Sequence, residues 1–208
     1  MHYKISAILL ASGLSRRMGD VEKLLLPING KPMLQYAVDL MTELSFEQDL
    51  SASDSIIVEK ILVTSYNCLE HIKVPELIKS LINENSEIGQ SESIKIGLRE
   101  ATGDAYLFLV ADQPMLTPDD IKPLIITSQK NITKIIYPII DSKPSSPTIF
   151  PPSFKNELLA LTGDKGGREI RDCYINRCVP VNVSSPENFR EINNMADYYN
   201  MYGKEITE

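Results

Sequence analysis

The stretch "ILLASGLSRRMGDVEKLLLPINGKP", residues 8–32, passes from an apolar run straight into a polar loop. The apolar run "ISAILLA" (5–11) has almost no polar face and is typical of a buried parallel strand. The loop then carries Arg16, Arg17 and Lys23 in a chain whose formal net charge is −7. Local positive charge directly after a buried strand in an acidic protein favours a phosphate-binding loop.

The loop residues have the chemistry that phosphate binding needs. Gly13 and Gly19 can adopt positive φ angles, which lets backbone N–H groups point into an anion-binding concavity. Arg17 offers a planar fork of donors and Lys23 a point charge. Neither the Walker A pattern nor the GxGxxG dinucleotide pattern is present. From the residues alone, a surface turn whose arginines only improve solubility stays open as the alternative.

Composition bounds the class of protein. With 208 residues, 43% of them hydrophobic and 24% charged, the chain predicts one soluble globular domain spanning residues 1–208. A sequence pI of about 5.0 argues against nucleic-acid and membrane-surface partners, which require a basic face. The three cysteines lack metal-ligand spacing, and no apolar run is long enough to cross a membrane. We therefore expect a cytoplasmic protein with reduced thiols.

Short apolar runs alternate with amphipathic stretches along the chain. This alternation predicts an α/β three-layer sandwich with a mostly parallel sheet, in which ligands bind beyond the carboxyl ends of the strands. The predicted strands are 5–11, 60–65, 105–112, 134–140, 147–150 and 178–183, and the predicted helices are 31–44, 73–81, 91–101, 117–130, 152–163 and 186–202.

A second polar position follows another buried strand. In "YLFLVADQPML" (106–116), Asp112 stands at the carboxyl end of an apolar run. A carboxylate beside a triphosphate suits Mg²⁺, which prefers oxygen ligands and takes one or two carboxylates together with phosphates. The plainer alternative is an aspartate that caps the following turn.

The first loop carries a specific resemblance. "LLASGLSRRMGDVEKLLLPINGKPML" (9–34) resembles the signature L-A-A-G-x-S-x-R-M-G…K-L-L-L-P…G-K-P of NTP nucleotidyltransferases, and it is closest to the molybdenum cofactor (molybdopterin) cytidylyltransferase branch. That resemblance implies a Rossmann-like fold of the nucleotide-diphospho-sugar transferase type, also called GT-A-like. It further implies a nucleotide site whose residues in this loop are Ala11, Ser12, Gly13, Ser15, Arg17 and Lys23, with Arg16 at a variable position.

This loop differs from the signature at two places. Ser12 replaces the second small residue of L-A-A-G, where the base is approached, so the choice of base is open. Three residues, "DVE", separate Gly19 from Lys23, where the family commonly has two.

The same family accounts for two later segments. The D-Q-P pattern implies that Asp112 is the principal metal ligand and that Gln113 faces the acceptor. "LTGDKGGREI" (161–170) resembles G-D-x-G-x-R, which implies that Asp164 ligates a second metal or orients the acceptor and that Arg168 pairs with an acceptor phosphate. A helix cap with an internal Asp–Arg pair is the alternative for this segment.

Two further segments concern the base and the acceptor. "NENSEIGQSESIKIGL" (83–98) resembles the family's N-x5-G-x-S-x-S pattern, which implies that Asn83 and mainly Ser93 contact the base. Capping of the following helix by Ser91 or Ser93 is an alternative that can coexist with base contact. In "DSKPSSPTIF" (141–150), Pro147 is kept for the acceptor site, whereas serine replaces the family's glycine.

These observations predict a Mg²⁺-dependent nucleotidyltransferase, with Mn²⁺ as an alternative metal. It would move CMP from CTP to a phosphorylated acceptor, molybdopterin, and release pyrophosphate, with Arg17, Lys23 and Asp112 as the catalytic residues. A transient contact with a molybdoenzyme would follow. The alternatives are a guanylyltransferase of the same superfamily, a cytidylyltransferase acting on a sugar or alcohol phosphate, and a non-catalytic nucleotide-binding or cofactor-delivery protein.

Overall fold

One mixed β-sheet organises the described part of the chain. The computed structural model describes residues 2–13, 22–45 and 55–203. Eight of the strands in these ranges form the sheet, in the order β10-β7-β9-β6-β1-β4-β5 with β8 paired to β7, and β2 and β3 form a separate hairpin. The strands are β1 His2–Ala11, β2 Pro27–Ile28, β3 Lys31–Pro32, β4 Ser55–Thr64, β5 Lys79–Ile82, β6 Ala105–Val110, β7 Ile135–Ile140, β8 Lys143–Pro144, β9 Thr148–Phe150 and β10 Cys178–Asn182.

Strands β6, β1, β4 and β5 are parallel neighbours, as are β7 and β10, whereas β9 runs antiparallel between β6 and β7. The predicted mostly parallel sheet is therefore confirmed. The antiparallel strand β9 was not distinguished by sequence, because a three-residue apolar run carries no signal of direction.

Helices cover both faces of this sheet. They are α1 Met33–Glu43, α2 Tyr66–Glu70, α3 Gln90–Glu100, α4 Pro118–Lys130, α5 Lys155–Leu159, α6 Gly167–Cys173 and α7 Met195–Tyr202. Side chains of β1 alternate between the faces: Ile5, Ala7 and Leu9 join a core with α1 and α4, while Ile8 joins a second core with α3, α5 and α6. The predicted three-layer sandwich is confirmed.

Helix α4 begins as its sequence predicts. Thr117 precedes Pro118 at the first helical position, and the Thr117 backbone N–H and hydroxyl both donate to the Asp120 carboxylate, at 2.9 and 2.8 Å. Such a cap satisfies donors that a helix N-terminus leaves unpaired.

Three predicted helices differ from the structure. The helix expected over 73–81 from Pro75 is wrong, because residues 79–82 pair in parallel with β4 as β5 and so complete backbone hydrogen bonds that the edge of β4 would otherwise leave open. The segment 152–163 is helical only as a 3₁₀ turn at Pro152–Phe154 followed by α5.

The segment 186–202 is likewise divided, into a 3₁₀ turn at Pro186–Phe189 and helix α7. The residues between them belong to neither a helix nor a strand, and the Ile192 backbone N–H donates to the Asp112 carbonyl oxygen at 2.9 Å. A continuous helix would withdraw that donor, so the tertiary contact outweighs the helical pattern.

The strand order places the site. From β1 the chain adds β4 and β5 on one side, and it then returns to add β6 on the other side of β1. Such a reversal opens a crevice outside the carboxyl ends of the two strands that flank it. Ser12 follows β1 and Asp112 follows β6, so both lie at this crevice.

Within the described ranges, none of the helices combines the length and the apolar character that crossing a membrane requires.

Candidate active site

Three buried polar side chains meet at the carboxyl ends of β1 and β5. The hydroxyl oxygens of Ser12 and Ser93 lie 2.6 Å apart, and the Asn83 amide nitrogen donates to both, at 3.1 and 3.0 Å. The side-chain oxygen of Asn83, Oδ1, accepts from the Asn85 backbone N–H at 3.0 Å. All three side chains are at most 6% exposed. The structure thus brings together Ser12, from the first loop, with Asn83 and Ser93, from the segment 83–98, all of which the sequence assigned to the base.

Backbone contacts between strand ends hold this group in place. The buried Thr64 hydroxyl, at the end of β4, donates to the Ala11 carbonyl oxygen at 3.0 Å. The Thr64 carbonyl oxygen in turn accepts from the Asn83 backbone N–H at 2.8 Å. Because Ala11 precedes Ser12, these bonds fix the positions of Ser12 and Asn83 relative to one another.

The start of α3 completes this half of the site. Gly89 precedes the helix with a φ of 110°, and a Cβ built there would lie 2.5 Å from the Gly163 backbone, so only glycine fits. The Ser91 backbone N–H donates to the Gly163 carbonyl oxygen at 3.1 Å. No side chain caps the helix, and the buried Ser91 hydroxyl has no hydrogen-bond partner among the described residues. The capping alternative for Ser91 and Ser93 is therefore wrong.

A charged pair occupies the neighbouring strand ends. The Lys23 Nζ lies 2.9 Å from Asp112 Oδ2, with the side chains only 15% and 20% exposed. Lys23 begins a 3₁₀ turn, Lys23–Leu25, which is anchored by the buried Leu24 side chain. The sequence predicted both residues for the triphosphate and its metal, and the fold brings them together although they are 89 positions apart in the chain.

The second oxygen of Asp112 bears on metal binding. Asp112 Oδ1 is buried and has no hydrogen-bond partner among the described residues, so that oxygen retains capacity for a cation. In residues 2–13, 22–45 and 55–203, His, Cys, Asp and Glu side chains form no group of three or more that could hold a metal ion. One carboxylate fits a Mg²⁺ ion whose remaining ligands are phosphate oxygens and water.

Gln113 connects three segments beside Asp112. Its side-chain nitrogen donates to the Phe189 carbonyl oxygen at 2.8 Å and to the Ser146 carbonyl oxygen at 3.2 Å. The bond between Ser146 and the buried Pro147 is cis. Gln113 is itself 1% exposed, so it fixes the neighbouring backbone; its buried side-chain oxygen has no partner among the described residues. Gln113 and Pro147, both predicted for the acceptor, thus lie in one region.

The two other residues predicted for the acceptor belong to a different region. The loop that carries Asp164 packs against the start of α3, since a Cβ at Gly89 would lie 2.5 Å from Asp164 Oδ1. Arg168 has an 80% exposed side chain whose Nε is 3.7 Å from Asp172. An internal Asp–Arg pair, as in the alternative, is present in α6 with Asp172 as the acid, and the acceptor and second-metal roles stay predictions.

Part of the segment predicted to bind phosphate lies outside the described residues. Ser15, Arg16, Arg17 and Gly19 lie outside the described residues, so their roles stay predictions. The described Gly13, just before that segment, is exposed.

Sequence reasoning missed the segment 189–192 as part of this site. Its backbone contacts both Asp112 and Gln113, as given above. The only available signal was the polar interruption "REINN" (190–194) between two helix-like stretches, and such an interruption predicts a break without predicting what it contacts.

Comparisons with known proteins agree with this geometry. The family profile described as "MobA-like NTP transferase domain" matches residues 7–178. The chain is 32% identical over 114 residues to a probable molybdenum cofactor guanylyltransferase of Methanosarcina acetivorans, covering 55% of this chain and 48% of that protein. It is 28% identical over 136 residues to one of Natranaerobius thermophilus, covering 65% and 60%. The alignments thus span about half to three fifths of these relatives' lengths.

A solved structure shares the fold over nearly the whole chain. A nucleotidyl transferase from Methanothermobacter thermautotroptrophicus superposes with a TM-score of 0.72 at 21% identity, covering 96% of each chain. This agrees with the nucleotide-diphospho-sugar transferase type of fold expected from the sequence.

Proposed function

The chain belongs to the MobA-like NTP transferase domain family, and from that premise we propose that it transfers a nucleotidyl group from a nucleoside triphosphate to molybdopterin. The observation that carries this proposal is the Lys23–Asp112 pair at the crevice, with one Asp112 oxygen left unpartnered among the described residues. Charged groups so placed suit the developing charge of phosphoryl chemistry.

The proposed reaction is an in-line displacement. A phosphate oxygen of the acceptor attacks the α-phosphorus of the triphosphate and forms a new P–O bond. The bond from the α-phosphorus to the bridging oxygen breaks, and pyrophosphate leaves with that electron pair. An acceptor phosphate is already largely ionised near neutral pH, so the reaction needs no strong general base.

Lys23, Arg17 and Asp112 would have separate roles in this reaction. Lys23, with Arg17 from the undescribed loop, would stabilise the negative charge on the triphosphate, while Asp112 would hold the metal. When bound there, Mg²⁺ would neutralise phosphate charge and favour departure of pyrophosphate. Contact with a molybdoenzyme that receives the product stays a prediction.

For the base, we propose cytosine as the first candidate. Support comes from the resemblance to the cytidylyltransferase branch, in which this region contacts the base, and from the buried Ser12–Asn83–Ser93 group of hydroxyl and amide groups at the carboxyl ends of β1 and β5. Guanine is the second candidate, because both relatives named above are guanylyltransferases by name.

Pyrophosphate release tests the proposal. The protein is incubated with Mg²⁺, molybdopterin and each of the four common nucleoside triphosphates in turn. We expect release that depends on molybdopterin and is fastest with CTP; fastest release with GTP would instead assign the guanylyl reaction. The assay is repeated with a sugar phosphate or an alcohol phosphate in place of molybdopterin. Pyrophosphate release with one of these alone would assign that compound as the acceptor instead of molybdopterin. Mg²⁺-dependent binding of nucleotide without turnover over any of these acceptors would favour the non-catalytic alternative.

A further inference from the structure

The segment 189–198 contacts both sides of the Lys23–Asp112 pair, although it carries neither residue. It runs from the end of the 3₁₀ turn Pro186–Phe189 into helix α7. On one side it bonds to the strand end that carries Asp112, and on the other it packs against the β2–β3 hairpin, which follows Lys23 in the chain. We call residues 189–198 the brace.

Two hydrogen bonds join the brace to the end of β6. The Ile192 backbone N–H donates to the Asp112 carbonyl oxygen at 2.9 Å. The Gln113 side-chain nitrogen donates to the Phe189 carbonyl oxygen at 2.8 Å. Because Ile192 is fully buried and Gln113 is 1% exposed, water does not compete for these bonds. The brace therefore holds two consecutive residues, Asp112 and Gln113.

A second set of contacts joins the brace to the segment that carries Lys23. The Tyr198 hydroxyl donates to the carbonyl oxygen of Pro27, the first residue of β2. The Tyr198 ring is buried in a small core that the brace shares with the hairpin and the start of α1. The buried members of this core are Ile28, Met33, Ile192 and Tyr198. Since Pro27 comes two residues after the 3₁₀ turn that Lys23 begins, these contacts fix where the chain leaves that turn.

The contacts of the brace join parts of the chain that are far apart in sequence. Gln113 and Phe189 are 76 positions apart, and Tyr198 and Pro27 are 171 apart. Lys23 and Asp112 lie on separate elements, a 3₁₀ turn and the end of a strand. One ion pair does not fix the distance between two such elements, because a lysine side chain is long and flexible. A third element that is bonded to both of them does.

We propose that the brace sets the separation of Lys23 from Asp112, and with it the space that the metal and the triphosphate share. Gln113 and Tyr198 are the positioning residues. This role deepens the function proposed above and rests on it. Each of the two residues acts through the element that it holds and not on the reacting atoms. A displacement of about 1 Å in an active site can cost ~10² in rate, so loosening the brace should impair metal use and turnover together.

Removal of a single hydroxyl tests the brace with the least damage to the fold. Tyr198→Phe keeps the buried ring and removes the bond to Pro27. We expect kcat for pyrophosphate release to fall about tenfold and the Mg²⁺ concentration for half-maximal rate to rise about fivefold, with the acceptor KM within about twofold of wild type. A purely structural role would lower the free energy of unfolding and leave the Mg²⁺ dependence of the folded protein unchanged.

Tyr36→Phe is the matched control. The Tyr36 hydroxyl donates to the Ile28 carbonyl oxygen at 2.9 Å, so this substitution also removes one hydroxyl bond to the hairpin. Tyr36 lies on α1, so its bond joins the hairpin to α1 and not to the brace. The Mg²⁺ dependence of this variant should be that of wild type. An equal rise in both variants would mean that any loosening of the hairpin suffices, and it would overturn the role of the brace.

Gln113→Met tests the other end of the brace. Methionine fills a similar volume but donates no hydrogen bond to Phe189, so the Mg²⁺ concentration for half-maximal rate should again rise about fivefold. Its control is Gln35→Met, which removes an amide that donates to the Lys73 carbonyl oxygen at 3.0 Å. If Gln113→Met does not fold, the comparison of Tyr198→Phe with Tyr36→Phe decides.

A measurement without substrate reports on the pair itself. Urea unfolding of Lys23→Ala, Asp112→Asn and the double variant gives the coupling between the two side chains. The same cycle in the Tyr198→Phe background should give a coupling about half as large or smaller, because the two side chains are no longer held at 2.9 Å. An equal coupling in both backgrounds overturns the inference.

The two proposals can fail separately. If the coupling falls in the Tyr198→Phe background while no triphosphate yields pyrophosphate, the transferase function fails and the brace stands. If pyrophosphate release is robust but Tyr198→Phe and Gln113→Met leave both the Mg²⁺ dependence and the coupling as in wild type, the function stands and the brace falls.

Discussion

Two carboxylates in this molecule have opposite surroundings. Glu59, towards the amino end of the sheet, has both oxygens bonded: Oε1 accepts from Lys4 and Thr102 side chains, and Oε2 from the Ser6 hydroxyl and the Thr102 backbone N–H. Asp112, at the carboxyl end, pairs one oxygen with Lys23 and leaves the other without a hydrogen-bond partner among the described residues.

The hydrogen bonds to Glu59 lower the pKa of its carboxyl group. Burial alone would raise the pKa of Glu59, but the hydrogen bonds from Ser6, Thr102 and Lys4 outweigh it and lower that pKa from 4.5 to about 2. The contrast teaches that a carboxylate saturated by its own fold serves stability, whereas one left partly unsatisfied at a strand end is available to a ligand. Four substitutions test this distinction.

The largest effect is expected for Asp112→Asn. Loss of the metal-binding charge should lower kcat for pyrophosphate release by ~10²–10³, equivalent to about 3–4 kcal/mol. The free energy of unfolding should also fall, by about 1–3 kcal/mol, because the pair is only 15% and 20% exposed and asparagine leaves the Lys23 charge without its partner. Steady-state kinetics and urea unfolding measure the two quantities. Asp119→Asn, in α4, is the control, because its side chain is 89% exposed and pairs only with Lys122. Near-normal turnover of Asp112→Asn would remove Asp112 from the site.

Lys23→Ala should have a comparable but smaller effect, lowering kcat by ~10², because it removes one charge from the triphosphate. The same pyrophosphate assay measures it. Lys31→Ala removes a lysine whose partner, Asp39, lies outside the crevice, and it should leave kcat unchanged. Equal losses in both variants would mean that overall charge, and not the position of Lys23, decides the rate.

Glu59→Gln should change stability without changing turnover. Hydrogen bonds to a charged group contribute roughly 1.5–3 kcal/mol, so we expect a loss of that order in the free energy of unfolding at pH 7. Because the folded pKa lies below the unfolded value of 4.5, the contribution is present above about pH 4.5 and is lost as the pH falls towards 2.

Urea unfolding of wild type and Glu59→Gln between pH 7 and pH 2.5 tests this. The difference between the two proteins should shrink steadily with acid. A difference that stays constant over the whole range would show that the Glu59 charge does not stabilise the fold.

Asn83→Ala tests the uncharged hydrogen-bond network of Ser12, Asn83 and Ser93. The substitution leaves the Ser12 and Ser93 hydroxyls without their shared donor, so the nucleotide KM should rise about tenfold, near 1.4 kcal/mol, while kcat falls less. Competition between CTP and GTP in the same reaction measures whether base discrimination narrows. Asn131→Ala, at the end of α4, is the control. An unchanged KM and an unchanged CTP-to-GTP ratio would restrict Asn83 to a structural role.

Much of this architecture could be predicted from the sequence, for identifiable reasons. The runs at 5–11 and 105–112 are apolar on both faces, so their burial in a parallel sheet follows directly. Ligands bind at the carboxyl ends of such strands, so the sequence alone makes Ser12 and Asp112 candidate site residues. Thr117 and Pro118 likewise marked the start of α4.

Other features depended on tertiary contacts that no local pattern encodes. The segment around Pro75 has the composition of a short helix, yet its continuation pairs with the open edge of β4. The pattern of residues 190–194 indicates only an interruption between two helices, yet the Ile192 backbone N–H bonds to the Asp112 carbonyl oxygen. The sequence identified Gln113 as a site residue but could not predict its contacts, because its partners, Ser146 and Phe189, are 33 and 76 residues away.

The most direct test of the central claim, that the carboxyl end of the sheet at Lys23 and Asp112 is a metal–triphosphate site, is calorimetric titration of CTP and GTP into wild type and Asp112→Asn, with and without Mg²⁺. We expect Mg²⁺ to tighten nucleotide binding to wild type about tenfold or more and to have little effect on the variant. Equal tightening in both proteins would contradict it.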